Sequence, residues 1–471
     1  MRRTIGILLV LALLVAAVGG VASWRYGLLD EWLDRDQPAP GADPVTVAPP
    51  PSLDLPAVTT PDQVADAVRP GPLRAQAVRK ALAPYLADPD LGKHVLAAVA
   101  PLDPADGRLV AIGSGVAVPA STTKLVTSAA ALLALGPDHT FATTVVRTSK
   151  RRIVLVGGGD PLLARAPAAA DEEPPYPVRA DVNDLAERTA ASLRDRGVRR
   201  VTLGYDATLF DGPSASPQWE ADYVPDGVVS PISSLWVDEG RSPTGYGRVA
   251  DPALDAAQTF AAALTAAGIT VDGAPAPATA PAGGATLARV TSAPLSQIVE
   301  RVLQVSDNEA AEVLLRHVGR QVVGEASFSG GRRGVTRVLA EAGVDLRDDT
   351  LYDGSGLSRR NRMAPHTLLD VLRAAVTRPE LGALVSGLPV AAFSGSLADR
   401  FAEGPAEARG RVRAKTGTLR GVTSLAGVAV DATGRPMLFV LMADRVALLD
   451  DTDAEAALDQ AAAALGACRC A

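Results

Sequence analysis

The sequence predicts an α+β fold with antiparallel strands, and three observations support this prediction. Residues 93–101 and 108–112 have the pattern of two strands on either side of a short turn, which indicates a hairpin. Three further strands, joined by short turns, are predicted near the C-terminus at 411–415, 423–430 and 436–442. Helical patterns precede, separate and follow these strands, so the fold contains both classes of element.

The composition is typical of a globular protein with more than one domain. The chain has 471 residues, 47% hydrophobic and 21% charged, which is enough for two or three domains and a substantial core. Its net charge of −7 comes from interspersed acids and bases without a basic run, which argues against nucleic acid as a partner. The only two cysteines, Cys468 and Cys470, predict a labile disulfide or two free thiols, and no disulfide framework.

The N-terminal residues predict export from the cytoplasm. Arg2 and Arg3 precede about 18 uncharged residues, a length that suits a membrane anchor or a signal peptide within residues 1–24. We favour an anchor with the body of the protein outside the cytoplasm, although Val21-Ala22-Ser23 would also serve as a cleavage site. Residues 25–60 are rich in proline and are predicted to form an extended spacer.

The rest of the chain alternates between helical and strand patterns. The predicted helices are 62–86, a helix from near Ser121 to 135, 182–196, 255–268, 295–304, 310–323 and 454–465. The remaining predicted strands are 143–148, 153–156, 201–203 and one that begins near 287. Residues 274–284, rich in proline, alanine and glycine, are predicted to be a linker between domains.

The stretch Ser121-Thr-Thr-Lys124 is the first candidate for chemistry. If a helix begins near Ser121, the serine hydroxyl and the Lys124 amine lie one turn apart on one face. A lysine with a lowered pKa can take the proton of a serine and so make it a nucleophile. The simpler alternative is a helix start with a solvated lysine. However, the chain has only five lysines against 41 arginines, which suggests that Lys124 serves a specific purpose.

Two further motifs follow in order: Ser306-Asp-Asn308 and Lys415-Thr416-Gly417-Thr418. Alone, the second could be a helix cap and the third a strand that ends in a turn. Together with the first motif they form the trio associated with penicillin-interacting serine enzymes. Acyl transfer needs these residue types: a nucleophile, a base, a hydroxyl that relays the proton to the leaving amine, and donors for the oxyanion.

Each predicted role follows from the chemistry of the side chain. Ser121 is the predicted nucleophile, Lys124 the base and Ser306 the relay. The amide of Asn308 can hold a peptide carbonyl. Lys415 is expected to help keep Lys124 neutral and to attract an anionic substrate terminus. Gly417 allows the substrate backbone to lie close to an edge strand, and the hydroxyls of Thr416 and Thr418 suit a carboxylate.

With these motifs, the chain resembles the low-molecular-mass class C penicillin-binding proteins, serine D-alanyl-D-alanine carboxypeptidases and endopeptidases of the cell wall. The resemblance covers about residues 60–467 and extends to four other stretches: Gly157–Pro161, Val305–Leu315 with Glu312, Asp353–Arg359 and Arg413–Leu419. It implies a penicillin-recognising, β-lactamase/transpeptidase-like domain in which helices flank an antiparallel sheet. One departure is Trp236-Val-Asp238-Glu239, where relatives usually carry asparagines.

The resemblance also implies a division of the chain into domains. Ser121 and Ser306 are 185 positions apart, more than in compact β-lactamases, so residues 145–285 are predicted to be one or more inserted domains. The catalytic domain would then consist of 61–144 and 286–467, followed by a cysteine-containing tail at 468–471. We expect the inserted segment to bind the peptide stem of the substrate and to contribute little to acylation.

The predicted function is a serine-type D-Ala-D-Ala carboxypeptidase or endopeptidase that acts on peptidoglycan peptides through an acyl-enzyme on Ser121. The expected partners are peptidoglycan peptides, β-lactams and, through the N-terminal segment, the membrane; no cofactor or metal is expected. One alternative is a β-lactamase, which usually requires a carboxylate on a loop shortly after the second motif. Another is a catalytically idle envelope protein that binds wall peptides. The oligomeric state is left open.

Overall fold

The computed structural model describes residues 71–103, 105, 108–169, 173 and 175–470. The predicted anchor or signal peptide, the proline-rich spacer and the first part of the predicted helix 62–86 lie outside these residues. Across the described part of the chain, no helix is both long enough and apolar enough to cross a membrane.

The described residues contain helices and strands close to the predicted positions, together with helices that the sequence did not predict. The helices are α1 (Ala75–Leu86), α2 (Thr123–Leu135), α3 (Val182–Asp195), α4 (Pro252–Ala266), α5 (Leu295–Gln304), α6 (Asn308–Val323), α7 (Phe328–Glu341), α8 (Pro365–Thr377), α9 (Gly382–Ser386) and α10 (Asp451–Ala467). The strands are β1 (Val95–Pro101), β2 (Val110–Ile112), β3 (Ala142–Arg147), β4 (Arg152–Val156), β5 (Arg200–Asp206), β6 (Thr270–Val271), β7 (Ala276–Pro277), β8 (Ala285–Thr291), β9 (Val412–Leu419), β10 (Val422–Val430) and β11 (Pro436–Ala443).

A five-stranded antiparallel sheet forms the centre of the catalytic part, with strand order β2-β1-β11-β10-β9. Alternate residues of β1 pack into different cores, as the period of a strand requires. Ala97 and Val99 join the core that includes α1 and α10, whereas Leu96 and Ala98 join the core of α2 and the helices α5 to α8. The predicted antiparallel sheet flanked by helices is therefore confirmed.

A second sheet lies between the first and second motifs, with strand order β6-β5-β4-β3-β8. The strands that come first and last along the chain, β3 and β8, pair with one another, so the two ends of this segment meet. Helices α3 and α4 pack against the sheet around a separate hydrophobic core. The division at residues 145 and 285 stays a prediction, but this arrangement is consistent with an inserted lobe. The predicted linker 274–284 contains the short strand β7.

Three details differ from the sequence-based expectations or resolve alternatives that they left open. Ser121 lies in a short 3₁₀ turn, Ala120–Thr122, and the α-helix begins two residues later than predicted, at Thr123. The strand predicted at 411–415 continues to Leu419, so the third motif lies inside an edge strand. Cys468 and Cys470 form a disulfide, with a Cα–Cα separation of 5.4 Å that lies within the usual range.

Candidate active site

The turn that carries Ser121 is held against the third motif. The hydroxyls of Thr122 and Ser424 both donate to the carbonyl of Pro119, each at 2.7 Å. A Cβ atom on Gly417 would lie 2.7 Å from that carbonyl oxygen and 3.1 Å from the Ser121 nitrogen. Gly417 is therefore required for the close approach of the Ser121 turn to strand β9, a reason that the sequence-based argument about the substrate backbone did not include.

Lys124 connects Ser121 to two distant segments. Its Nζ lies 2.9 Å from Ser121 Oγ, 2.7 Å from Asn308 Oδ1 and 2.7 Å from the carbonyl oxygen of Ser355. The side chain is fully buried, and burial lowers the pKa of Lys124 to about 8 against the opposing field of nearby carboxylates such as Glu312. In its neutral form, the amine has a lone pair that can accept the proton of Ser121.

The loop Tyr352–Ser358 holds the Ser355 carbonyl in place. Asp353 lies at its centre and accepts hydrogen bonds from the backbone N–H groups of Gly356 and Ser358, from Asn361 Nδ2 and from Trp219 Nε1. Gly356, with φ of 90°, packs so tightly that a Cβ there would lie 1.9 Å from the Ala120 carbonyl oxygen. The sequence analysis noted this loop only as part of the resemblance and missed the contact with Lys124.

Glu312, on α6, binds the backbone of the same loop. Its carboxyl group accepts from the N–H groups of Gly354 and Ser355, the latter at 2.8 Å. Burial, followed by the charge of Asp353, raises the pKa of Glu312 to about 8, although the hydrogen bonds from the loop oppose this shift. Glu312 therefore positions the carbonyl that contacts Lys124 without touching Ser121.

The second motif brings Asn308, but not Ser306, into hydrogen-bonding contact with Lys124. Asp307 is the N-cap of α6, where it accepts from the Ala310 N–H at 3.0 Å. Ser306 has a φ of 59°, in the left-handed region that is unfavourable for a residue with a side chain. Ser306 is half-buried, and its hydroxyl forms no hydrogen bond within the described residues.

Lys415 and its neighbours occupy strand β9. Lys415 is fully buried and donates from Nζ to the carbonyl oxygen of Thr416 at 2.8 Å. Thr416 Oγ1 is hydrogen-bonded to Ser396 Oγ at 2.9 Å, and the exposed Thr418 donates to Glu455 Oε1 at 2.5 Å. Burial, followed by the charge of Lys124, holds the pKa of Lys415 well below its ordinary value. Burial thus accounts for the lowered pKa of both lysines.

The chain matches the profile of the D-Ala-D-Ala carboxypeptidase 3 (S13) family over residues 78–246 and 243–465. The chain belongs to this family. It is 36% identical over 471 residues to "Carboxypeptidase DacB" of Mycolicibacterium smegmatis, which covers 98% of this chain and 96% of that protein. It is 30% identical over 390 residues to "D-alanyl-D-alanine carboxypeptidase" of Actinomadura sp., which covers 66% of this chain and 70% of that protein.

The fold is also shared with penicillin-binding protein 4 (dacB) from Haemophilus influenzae. That structure superposes with a TM-score of 0.65 at 21% sequence identity and covers 83% of this chain and 98% of the other. The predicted penicillin-recognising fold is therefore confirmed. As a member of the S13 family, the protein is a serine-type D-Ala-D-Ala carboxypeptidase of the penicillin-binding type, a hydrolase that acts on the cell wall outside the cytoplasm.

Proposed function

We propose that this protein hydrolyses the D-Ala-D-Ala bond of peptidoglycan stem peptides through an acyl-enzyme on Ser121, with Lys124 as the general base. The observation that carries this assignment is the 2.9 Å contact between Lys124 Nζ and Ser121 Oγ. A second observation supports it: burial lowers the pKa of Lys124 to about 8. Near neutral pH, part of the Lys124 population is therefore neutral and able to accept a proton.

The reaction has two steps. Ser121 Oγ attacks the carbonyl carbon of the scissile bond while Lys124 takes the hydroxyl proton, and the backbone N–H at Ser121 offers a donor to the oxyanion. The Ser306 hydroxyl relays a proton to the leaving D-alanine amine as the C–N bond breaks. A water molecule then attacks the ester, and its proton returns through Lys124 to Ser121 Oγ, which restores the enzyme.

The substrate is held on both sides of the serine. The amide Nδ2 of Asn308 is proposed to bind a carbonyl of the stem peptide, because Asn308 Oδ1 is already engaged by Lys124. The terminal carboxylate is proposed to lie along edge strand β9, near Thr416, Thr418 and the positive field of Lys415. Release of D-alanine from a stem pentapeptide would report carboxypeptidase activity, and conversion of a cross-linked dimer into two monomeric stem peptides would report endopeptidase activity.

Labelling with a penicillin tests the assignment of the nucleophile. Intact-protein mass spectrometry of the penicillin-treated protein should show one adduct, which peptide mapping should locate on Ser121. An adduct on another residue would contradict the assignment, and no adduct at all would favour the idle envelope protein. A label that is hydrolysed within seconds would instead favour a β-lactamase.

We also propose that residues 1–24 anchor the protein in the membrane. The support comes from the two arginines ahead of about 18 apolar residues, which is barely enough to span a bilayer. If the full-length protein is expressed in Mycolicibacterium smegmatis, it should be found in the membrane fraction with residue 1 or 2 as its N-terminus. A soluble, exported protein that begins near Trp24 would show a cleaved signal peptide instead.

A further inference from the structure

The Trp236–Glu239 stretch, whose role the sequence left open, lies against the second motif. Asp238, Glu239 and Gly240 have successive φ values of 48°, 58° and 70°, and the first two of these residues carry side chains. This unfavourable backbone is held by the Ser230 hydroxyl, which donates to the Glu239 carbonyl at 2.5 Å, and by the Asp238 N–H, which donates to Leu163. The turn directs Glu239 inward, where only 2% of the residue is exposed.

Glu239 meets Asp307, the central residue of the second motif. The two carboxyl groups face the same guanidinium group, since Arg301 lies 3.7 Å from Glu239 Oε1 and 3.6 Å from Asp307 Oδ2, and each carboxyl group influences the pKa of the other. Glu239 Oε1 and Asp307 Oδ2 are buried and accept no hydrogen bond from any N–H or O–H donor in the described structure. Two carboxylates in contact repel each other, whereas a single proton between them supplies the missing donor. The contact therefore requires one neutral carboxylic acid.

The N-terminus of α6 places this proton on Glu239, because Asp307 is the N-cap of that helix and the helix dipole favours its ionised form. Asp307 also accepts from the Ala310 N–H and has Arg301 Nε at 3.6 Å from Oδ2, so its ionised form is stabilised. The other carboxylate of the cluster, Glu309, is paired with Arg248 at 2.8 Å.

Glu239 itself has two guanidinium neighbours. Its Oε2 accepts from Arg241 Nε at 3.1 Å, a bond that a neutral acid can accept equally through its carbonyl oxygen, and Arg301 lies 3.7 Å from Oε1. Burial, followed by the charge of Asp307, raises the pKa of Glu239 well above its ordinary value, in agreement with the geometry.

We propose that Glu239 is a positioning residue that, as a neutral carboxylic acid, donates a hydrogen bond to Asp307 and so holds Ser306 and Asn308 in place for acyl transfer. This inference rests on the proposed function, because Ser306 and Asn308 flank Asp307 and Asn308 contacts Lys124. Glu239 is buried and has no hydrogen bond to Ser121 in the described structure. Its role is to fix the backbone that presents the second motif.

The proposal changes the expectation for the segment between the motifs. Glu239, Arg241 and Arg248 all belong to that segment. Arg248 donates to Glu309, Arg241 donates to Glu239, and Glu239 faces Asp307. Removal of residues 145–285 would leave two buried carboxylates without these partners. We now expect such a deletion to abolish acylation, contrary to the expectation from the sequence that acylation would survive.

Variants of Glu239 test the proposal through the rate of acylation by a fluorescent penicillin. In Glu239→Gln, the amide still donates to Asp307, so acylation near neutral pH should stay within about threefold of the wild type. In Glu239→Leu, which has similar volume but no donor, the maximal acylation rate should fall by about 30-fold or more, with little change in the dissociation constant of the penicillin. Asp238→Asn, on the same turn but paired with Arg165, should match the wild type.

The pH dependence provides a readout that a purely structural role would not change. Because Glu239 acts in its protonated form, the wild type should lose acylation rate at alkaline pH as this proton leaves, and Glu239→Gln should lose less. The proposal is overturned if Glu239→Leu acylates like the wild type, or if Glu239→Gln is as slow as Glu239→Leu. A wild type that takes no label would contradict the proposed acyl transfer itself, which is a different failure.

A second measurement decides the matter if Glu239→Leu does not fold. The infrared spectrum of the wild type minus that of Glu239→Gln, both near pH 7, should contain the C=O stretching band of a protonated carboxyl group, because only the wild type has this group at position 239. The absence of that band from the difference spectrum would show that Glu239 is ionised and would overturn the proposal.

Discussion

The two motif lysines are both fully buried, but the regions around them hold them differently. Lys124, in the first turn of α2, has acceptors on three separate segments: Ser121, Asn308 of α6 and Ser355 of the loop 352–358. Lys415, in strand β9, donates within the described structure only to its own neighbour Thr416. The position of the first amine thus depends on tertiary packing, and that of the second on local strand geometry.

This difference suggests different tasks. A base must keep a fixed distance to its nucleophile, and three acceptors from separate segments fix Lys124 in that geometry. Lys415 has no exposed surface, so its proposed action on a substrate carboxylate would be through its field and through the position of Thr416. The predictions below separate these tasks.

The largest effect is expected from Lys124→Ala. Loss of the base should lower acylation by a fluorescent penicillin by about three orders of magnitude or more, because the serine hydroxyl is a weak nucleophile without it. The exposed lysine of α1 provides a control, and Lys80→Ala should label at the wild-type rate. A loss below about tenfold would mean that another group deprotonates Ser121.

The next effect concerns the contact between the two regions. In Gly417→Ala, the new methyl group would lie 2.7 Å from the Pro119 carbonyl oxygen, so the Ser121 turn must move away from β9. A displacement of this kind should slow acylation by about 100-fold. Gly382→Ala is the matched control, because a Cβ there meets nothing within 4 Å. Equal rates for the two variants would show that the turn does not need its close approach to β9.

A smaller and selective effect is expected from Lys415→Ala. Turnover of peptides with a free terminal carboxylate should fall about 10- to 100-fold more than turnover of the same peptides with an amidated terminus, because only the anion interacts with the charge. Steady-state kinetics with the two substrates would measure this ratio. Equal losses would restrict Lys415 to a structural or electrostatic role toward its protein neighbours.

The smallest change is a pH dependence of the unmodified protein. In the proposed mechanism the neutral form of Lys124 is the active one, and its pKa is lowered to about 8, so acylation should rise with pH and reach half its maximum near that value. A midpoint near the ordinary lysine value of 10.5 would show that burial does not activate Lys124. Carboxylate substrates should lose additional rate as Lys415 loses its charge, at a pH that burial shifts well below the ordinary lysine value, whereas amidated substrates should show only the alkaline loss expected from Glu239.

Helix α7 illustrates why part of the fold was missed. Its sequence contains Gly330, Gly331 and Gly334, each of which costs about 1 kcal/mol relative to alanine in a helix, and the sequence analysis assigned no helix there. These glycines let α7 pack closely on α6: a Cβ on Gly331 would lie 2.6 Å from the Leu315 carbonyl oxygen. Packing that a local pattern does not contain therefore overrides the low helix propensity.

By itself, the sequence determined the family, the α+β class, the longer sheet strands and the residues of three motifs. Short motifs and strand alternation are local properties, so they can be recognised without coordinates. Only the tertiary structure decided that the Ser355 carbonyl and Asn308 meet Lys124, that Gly417 serves the Ser121 turn, and that Glu239 meets Asp307. These contacts join residues far apart in the chain, and burial, which sets the protonation of Lys124 and Glu239, exists only once the chain has folded.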